Sequence, residues 1–278
     1  MNQLLEIRNL SKDFVAPQAL GALVRRQAPQ VVHAVDDVSL TVGVGETLGL
    51  VGESGSGKTT LGRMVLGLIT PTAGTILFNG EDITHVSRRQ RFLLCRQIQV
   101  VFQDPYASLD PRQTVQSIIR EPLDIHGIGT PSERRKRVLE LMDLVALPQR
   151  YERVYPHELS GGLRQRVSIA TALSVGPKLL VADEPVSALD VSVQAQILEL
   201  LETIKQETGI GLLFVSHDLG VVHQISDVVA VMRLGKLVET GPVEEVYRGP
   251  RHAYTKALLS AIPPADPTAH YEPISTAY

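Results

Sequence analysis

A single cysteine, Cys95, stands among the 278 residues. A disulfide within the chain is therefore excluded, as is any metal site built from several cysteines, and a reducing compartment fits that count. Long apolar runs are missing as well: stretches such as "LLFV" (Leu212–Val215) fall far short of the ~20 residues a membrane-spanning helix needs. The opening "MNQLLEIRNLSKDF" lacks the charged-then-apolar layout of a signal peptide. A cytoplasmic chain is expected, one that a partner holds if it works at a membrane. No block of one charge stands out either. With 27 basic and 30 acidic residues the formal charge is −3, and no nucleic-acid partner is expected. "SERRKR" (Ser132–Arg137) comes nearest, but it opens an amphipathic segment and reads as a solvated helix face.

What is present is an ordinary globular composition, 44% hydrophobic and 21% charged, able to bury a sizeable core. The first dozen residues alternate apolar and polar ("LLEIRNL"), the pattern of a half-buried strand. "APQALGALVRRQAPQ" (Ala16–Gln30) breaks that pattern and reads as a loop or insertion. "AVDDVSLTV" resumes a strand, and "GVGE" turns into the apolar "TLGLVG". Leu61, Met64, Val65 and Leu68 then follow the i, i+3, i+4, i+7 spacing of a buried helix face. "TAGTILFNGEDI" resembles a hairpin; Ser108 to Ser174 is expected to be mainly helical, with Val138, Leu141, Met142 and Val145 on one face. Beyond lie the apolar "LLVADEP", a helix carrying Val193, Ile197, Leu200, Leu201 and Ile204, the strand "GLLFVSHD", and a strand and hairpin in "DVVAVMRLGKLVETG". Short apolar strands alternating with helices imply a parallel sheet covered on both faces. No internal repeat is visible, and the tail from about Pro263 is rich in Pro, Ala and Thr, as extended or loosely packed segments are.

"GESGSGKT", Gly52 to Thr59, matches G-x-x-x-x-G-K-[ST] without a gap. Gly52, Glu53, Ser54, Gly55, Ser56 and Gly57 form a loop whose backbone N–H groups close around phosphate oxygens, at the positive end of the helix entered through Lys58, Thr59 and Thr60. Lys58 reaches the β- and γ-phosphates, and the Thr59 hydroxyl suits Mg²⁺. A glycine-rich turn without a ligand is the bland alternative, and the preceding strand and following helix speak against it. "KLLVADEP" (Lys178–Pro185) places two acids after a buried strand, at the sheet edge where ligands bind in open α/β folds. Asp183 would hold Mg²⁺ through water, and Glu184 is placed to polarise an attacking water. Alone, such a pair is often just a helix N-terminus; beside Lys58 the catalytic reading prevails. In "LSGGLRQRVSIATALS" (Leu159–Ser174), Ser160, Gly161 and Gly162 precede a long helix and make a second phosphate-binding element. One γ-phosphate hardly needs two cradles from one chain, so this one serves a partner's nucleotide, unless it is merely an ordinary capped helix.

In order and rough spacing these pieces resemble the ATP-binding subunit of an ABC transporter, over nearly the whole chain. "LSGGLRQR" resembles the family's signature, "VFQDP" its Q-loop with Gln103 as the glutamine, "SALD" (Ser187–Asp190) its D-loop, and "FVSHD" carries its switch histidine at His217. The resemblance implies an α/β P-loop ABC-type ATPase domain over residues 1–262, with a mainly parallel core sheet, a small antiparallel β subdomain and a helical subdomain at roughly 108–174, followed by a tail, 263–278. It implies ATP and Mg²⁺, held in a sandwich of two ATPase subunits, homo- or heterodimeric. Lys58 and Thr59 of one subunit would face Ser160 and Gly162 of the other, with Asp190 at the same junction. Gln103 would contact Mg²⁺ and report occupancy, and His217 would contact the γ-phosphate. Taken singly, Gln103 is a polar loop group and His217 a helix cap. Phe14, in "LSKDF", either stacks on adenine or packs as a core or staple residue. One departure is Leu163, where most members carry Gln; serine and glycines are intact, so phosphate contact should survive.

"VFQDPYASLDPR" and "GPRHAYTKALLSAIP" (Gly249–Pro263) resemble the dipeptide/oligopeptide importer branch, in which the latter forms a helix with Ala257, Leu258 and Ala261 free to pack, then a proline stop. The branch also holds nickel, glutathione and sugar importers, and many members carry a C-terminal cysteine cluster that this chain lacks. The implied partners are two transmembrane permease subunits, a second ATPase and, through the complex, an extracytoplasmic solute-binding protein; the implied place is the cytoplasmic face of the inner membrane. Rival readings are a soluble ABC protein, a P-loop kinase and a structural subunit. The first usually has tandem domains or a coiled-coil insert, the second needs a substrate lid in place of the "LSGG" helix, and the third would be expected to lose Lys58 or Glu184.

Overall fold

Thr47–Val51 forms strand β3, every residue of which is buried. A five-residue apolar run can be buried on both faces only inside a layered sheet. In the computed structural model, which describes residues 3–15 and 31–261, β3 lies third in a six-stranded sheet. Its companions are β6 (Ile98–Val101), β7 (Leu179–Asp183), β8 (Gly211–Ser216), β9 (Val228–Arg233) and β10 (Lys236–Pro242), in the order β10-β9-β3-β8-β7-β6. All neighbours run parallel except the β9–β10 hairpin. The parallel core sheet expected from "TLGLV", "LLVAD" and "GLLFVS" is thus present, and strands far apart in sequence become neighbours.

A second, four-stranded antiparallel sheet has the order β2-β1-β4-β5, from β1 (Gln3–Val15), β2 (Val31–Gly43), β4 (Ala73–Phe78) and β5 (Glu81–Asp82). Strand alternation drives Leu5, Ile7, Val38 and Ile76 inward, against Leu48, Leu50 and Val215 of the parallel sheet. Helices fill the rest: α1 (Lys58–Val65), α2 (Arg88–Gln97), α3 (Pro105–Ser108), α4 (Val115–Ile125), α5 (Pro131–Leu144), α6 (Gly161–Leu173), α7 (Val191–Thr208), α8 (Leu219–Ile225), α9 (Val243–Arg248) and α10 (Ala253–Ser260). Val138, Leu141, Met142 and Val145 are buried together as the periodicity requires, and α4, α5 and α6 pack on one another. Thr130 and Glu133 close a capping box at the start of α5, with Pro131 at its first turn.

Leu68 departs from expectation. Helix α1 ends at Val65, and Leu68 lies in the turn after it, 62% exposed. Gly67, at φ +70°, takes the chain out of the helix one residue before the last repeat of the apolar pattern. The insertion Ala16–Gln30, the proline stop at Pro263 and the tail 263–278 lie outside the described residues.

One ion pair ties α7 to the edge of the parallel sheet. The Lys205 ammonium is nearly buried, with Glu202 Oε2 at 2.8 Å and Asp227 Oδ2 at 3.2 Å. The same Asp227 oxygen accepts the Thr47 N–H at 2.7 Å, at the start of β3. Burial alone would depress the ammonium, but the Glu202 hydrogen bond and the Asp227 charge outweigh it and hold the group above the ordinary lysine value of 10.5. Its stabilising share is therefore present in full below that pH and lost only as pH rises through the higher folded value. Asp227→Ala removes the acceptor of the Thr47 N–H and one of the two Lys205 partners, leaving Glu202 in place, and a loss of about 1 kcal/mol in urea unfolding at neutral pH is expected.

Candidate nucleotide site

The glycine-rich loop runs from the end of β3 to the start of α1. Gly57, at φ +106°, leaves no room for a side chain: a Cβ there would lie 2.2 Å from the carbonyl oxygen of Ala34 in β2. Gly55, at φ +80°, has open space on its Cβ side. The loop is pinned on one flank and open on the other, as a cradle for an anion must be. Lys58 opens α1 and is only 4% exposed. Its Nζ donates to the carbonyl oxygens of Gly52 at 2.6 Å and Glu53 at 2.9 Å, and burial depresses its pKa.

Three further elements deliver polar groups to the same edge. The Thr59 hydroxyl donates to Asp183 Oδ1 at 3.1 Å, at the tip of β7. Burial raises the Asp183 carboxyl; the Thr59 hydrogen bond opposes this and the Glu184 charge adds to it. Glu184 follows in the left-handed region, at φ +49°, its N–H donating to the carbonyl of Val215 in β8 at 2.9 Å. A non-glycine residue in that region stores backbone strain, which functional sites often do. Glu184 Oε2 accepts from Gln103 Nε2 at 3.0 Å and lies 3.1 Å from His217 Nδ1. Gln103 comes just past β6 and His217 just past β8, so the three candidate catalytic residues converge on one carboxylate oxygen.

A cavity of about 310 Å³ opens beside these groups, lined by Ser54, Gly55, Gly57, Lys58, Thr59, Thr60 and Glu184, and walled by Val32, His33, Ala34 and Leu234. That wall is absent from the sequence reading: "AVDDVSLTV" advertises a strand, and nothing in it says the strand borders the loop. His33 Nδ1 lies 2.7 Å from Asp13 Oδ1 across the β1–β2 pair. Phe14 is 42% exposed and pairs directly with Val32, on the strand face shared by Ala34. It therefore borders the apolar wall and is not a buried core residue.

Ser160, Gly161, Gly162 and Asp190 do not line this cavity. Ser160 is the N-cap of α6, accepting the Leu163 N–H at 3.5 Å. Gly162 is required by packing: a Cβ would lie 2.5 Å from Val193 Cγ1 of α7. Asp190 caps α7, accepting from the Val193 N–H at 3.0 Å and the Ser192 hydroxyl at 2.7 Å, and the Ser192 bond leads in lowering its pKa. The two helix starts abut. Asp218, not His217, caps α8. Leu163 is partly buried and packs its side chain against the hydrophobic core, away from the phosphate-facing N–H groups, so Leu163→Gln in the assembled ATPase is expected to shift steady-state ATP turnover by less than about fivefold, the effect of about one hydrogen bond. Arg164, one residue on, places its guanidinium 4.5 Å from the Tyr106 ring and donates to the Pro156 carbonyl at 2.7 Å. It ties the start of α6 to the Gln103 loop, a link with no signal in the sequence.

Residues 35–187 match the family described as ABC transporter. The chain belongs to that family. As an ABC ATPase it carries a second match, at residues 238–277, to the oligopeptide/dipeptide transporter C-terminal region. It is 50% identical over 267 residues to the oligopeptide transport ATP-binding protein OppF of Bacillus subtilis (strain 168), covering 95% of this chain and 84% of that protein. It is also 50% identical to the glutathione import ATP-binding protein GsiA of Salmonella typhimurium (strain LT2), with 96% of this chain matched, but spans only 42% of that protein's length. Among solved structures, an ATP-binding cassette in a dimeric post-hydrolysis state, bound to ADP and Pi, matches with a TM-score of 0.75 at 28% identity, over 86% of this chain and 98% of that one. A cassette of the cbiONQ transporter complex of Clostridium perfringens matches with a TM-score of 0.76 at 28% identity, over 90% and 92%. No helix of this ABC ATPase, among the described residues, is long and apolar enough to cross a membrane.

Proposed function

We propose that this ABC ATPase powers the import of di- or oligopeptides, or of a related small solute such as glutathione or nickel. The observation that carries the peptide reading is the match at residues 238–277, because it lies past residues 35–187, the part matched by the general ABC transporter family. Relatives named for oligopeptide and glutathione import, both at 50% identity, support the same branch.

The working unit in this reading is a head-to-tail pair of ATPase subunits. The start of α6, set away from its own cavity, favours that arrangement: Ser160, Gly161 and Gly162 offer backbone N–H groups, with Asp190 beside them, to a nucleotide held by the second subunit. Within one chain, the P-loop and Lys58 bind the phosphates, and Phe14 with Val32 and Ala34 receives the base. Glu184 takes the proton of a water whose oxygen attacks the γ-phosphorus, while the bond to the β-phosphate breaks and ADP leaves. His217 and Gln103, both on the Glu184 carboxylate at rest, would turn to the γ-phosphate, and Gln103 would help hold the metal.

Mg²⁺ suits the residues present. Thr59 Oγ1 and Asp183 Oδ1 already stand 3.1 Å apart as hard oxygen donors, with Gln103 nearby, and Mg²⁺ is commonly held by one or two such ligands plus phosphates and water. Among the described residues no cluster of three or more His, Cys, Asp or Glu is gathered for an all-protein metal cage. When bound, the ion neutralises charge on the phosphate oxygens.

The assembly comprises two transmembrane permease subunits, a second ATPase and an extracytoplasmic solute-binding protein, with this chain peripheral on the cytoplasmic face of the inner membrane. The ATPase domain takes residues 1–262, with its helical subdomain at roughly 108–174 and a tail at 263–278. Tagging the chain in its native cell and solubilising the membranes gently tests this. Recovery of two permeases, a second ATPase and a binding protein that takes up peptides supports it. Recovery of ribosomes, nucleic acid or nothing breaks the importer reading and leaves an ABC-type ATPase.

A further inference from the structure

Helix α10 belongs to the C-terminal stretch, yet one of its side chains reaches the phosphate cradle. Tyr254 is 4% exposed, and its Oη accepts the backbone N–H of Glu53 at 3.1 Å. The carbonyl oxygen of the same Glu53 accepts from Lys58 Nζ at 2.9 Å. The second residue of the P-loop is thus held from two sides, by the C-terminal helix and by the phosphate-binding lysine. Burial pushes the phenol upward, and the hydrogen bond from the Glu53 N–H opposes that shift.

The tyrosine is itself held in place. The Arg233 guanidinium, at the end of β9, lies 4.9 Å from the ring centroid. At the start of α10 the Glu239 carboxylate of β10 accepts the N–H groups of Arg251 at 2.7 Å and His252 at 3.1 Å. His252 Nδ1 in turn accepts the Tyr254 N–H at 3.1 Å, as the helix cap. A fixed path therefore runs from β10, through α10, to the Glu53 peptide. A tyrosine present only to fill the core would do as well without its oxygen; this one spends its oxygen on the loop that binds nucleotide.

We propose that Tyr254 is a positioning residue for the phosphate-binding loop, and that through it the seating of α10 and the affinity for nucleotide are linked. The proposal rests on the nucleotide reading of Lys58. Linkage is reciprocal: if α10 tightens the loop for ATP, ATP tightens α10 by the same factor. A displacement of the C-terminal region by any partner then loosens the hold on ATP.

Tyr254→Phe in the full-length chain, assembled with its partners, is the test, because it keeps the ring and the Arg233 contact and removes one oxygen. The KM for ATP is expected to rise about fivefold, the effect of one hydrogen bond, with kcat within about twofold and the unfolding midpoint within about 3 °C. Amide exchange across Ala253–Ser260 should slow on adding Mg²⁺ and ATP to the unmodified chain, and this protection should vanish in the variant. Tyr254→Leu, which also opens a hole, should raise KM at least as far. An unchanged KM in the Phe variant, or exchange in α10 that ignores ATP in the unmodified chain, overturns the proposal. Lys58→Ala run in parallel separates the two layers: if that variant binds ATP normally, the nucleotide reading itself has failed, and the Tyr254 link falls with it.

Discussion

Glu184→Gln lowers steady-state ATP turnover by about a thousandfold, leaves ATP binding intact and lets an ATP-bound dimer accumulate. The size follows from what the substitution removes. A positioned general base contributes about 10²–10⁴ in rate, and the amide cannot take a proton from water. The shape is nearly unchanged, so the strained backbone at φ +49° and its N–H bond to Val215 persist. Gln103 Nε2 keeps an oxygen acceptor in the new amide, and phosphate contacts through Lys58 and the P-loop are untouched. Turnover assayed beside equilibrium binding of a fluorescent ATP analogue separates the two effects, and size-exclusion with ATP reads the dimer. Turnover close to that of the parent would place the base elsewhere.

Lys58→Ala acts on the other half of the cycle: the Kd for ATP rises about a hundredfold, and turnover disappears at millimolar nucleotide. Charge-assisted hydrogen bonds to phosphate are among the stronger polar contacts, about 1.5–3 kcal/mol each, and a hundredfold in Kd corresponds to about 2.7 kcal/mol. The resting geometry adds a second loss. Without the ammonium the Gly52 and Glu53 carbonyls have no donor at 2.6 and 2.9 Å to fold the loop around. The overall fold should survive, because Leu61, Met64 and Val65 still bury α1. Isothermal titration with ATP, beside circular dichroism, checks both statements, and retained micromolar binding would sink the first.

What could be read from the chain divides along physical lines. The P-loop, the acid pair and the starts of α5 and α6 are local patterns, in which a few adjacent residues carry both the backbone conformation and the chemistry. The helix face of α5 was equally open, because its period fits 3.6. The wall made by Val32, His33, Ala34 and Leu234 was not, since it depends on where one sheet's edge rests against another's loop. Nor does the spacing of Gln103, Glu184 and His217 reveal that all three share one oxygen; strand order decides that, and strand order is set by packing over long separations. Leu68 misled because an apolar repeat says nothing about the glycine that stops the helix. Gly162 reads as a phosphate-binding residue, while Val193 shows that it is also a spacer between two helices.

Strands β3 and β7 lead into the P-loop and the acids, yet they do not pair with each other: β8 lies between them and pairs with both. On the ribosome, residues 211–216 are made after both Lys58 and Glu184. Until they are, β3 and β7 have no strand between them to pair with, and Glu184 lacks the Val215 carbonyl that fixes its backbone. The acids are thus made before the strand that sets their backbone, just as the P-loop is made before the Tyr254 that holds its second residue.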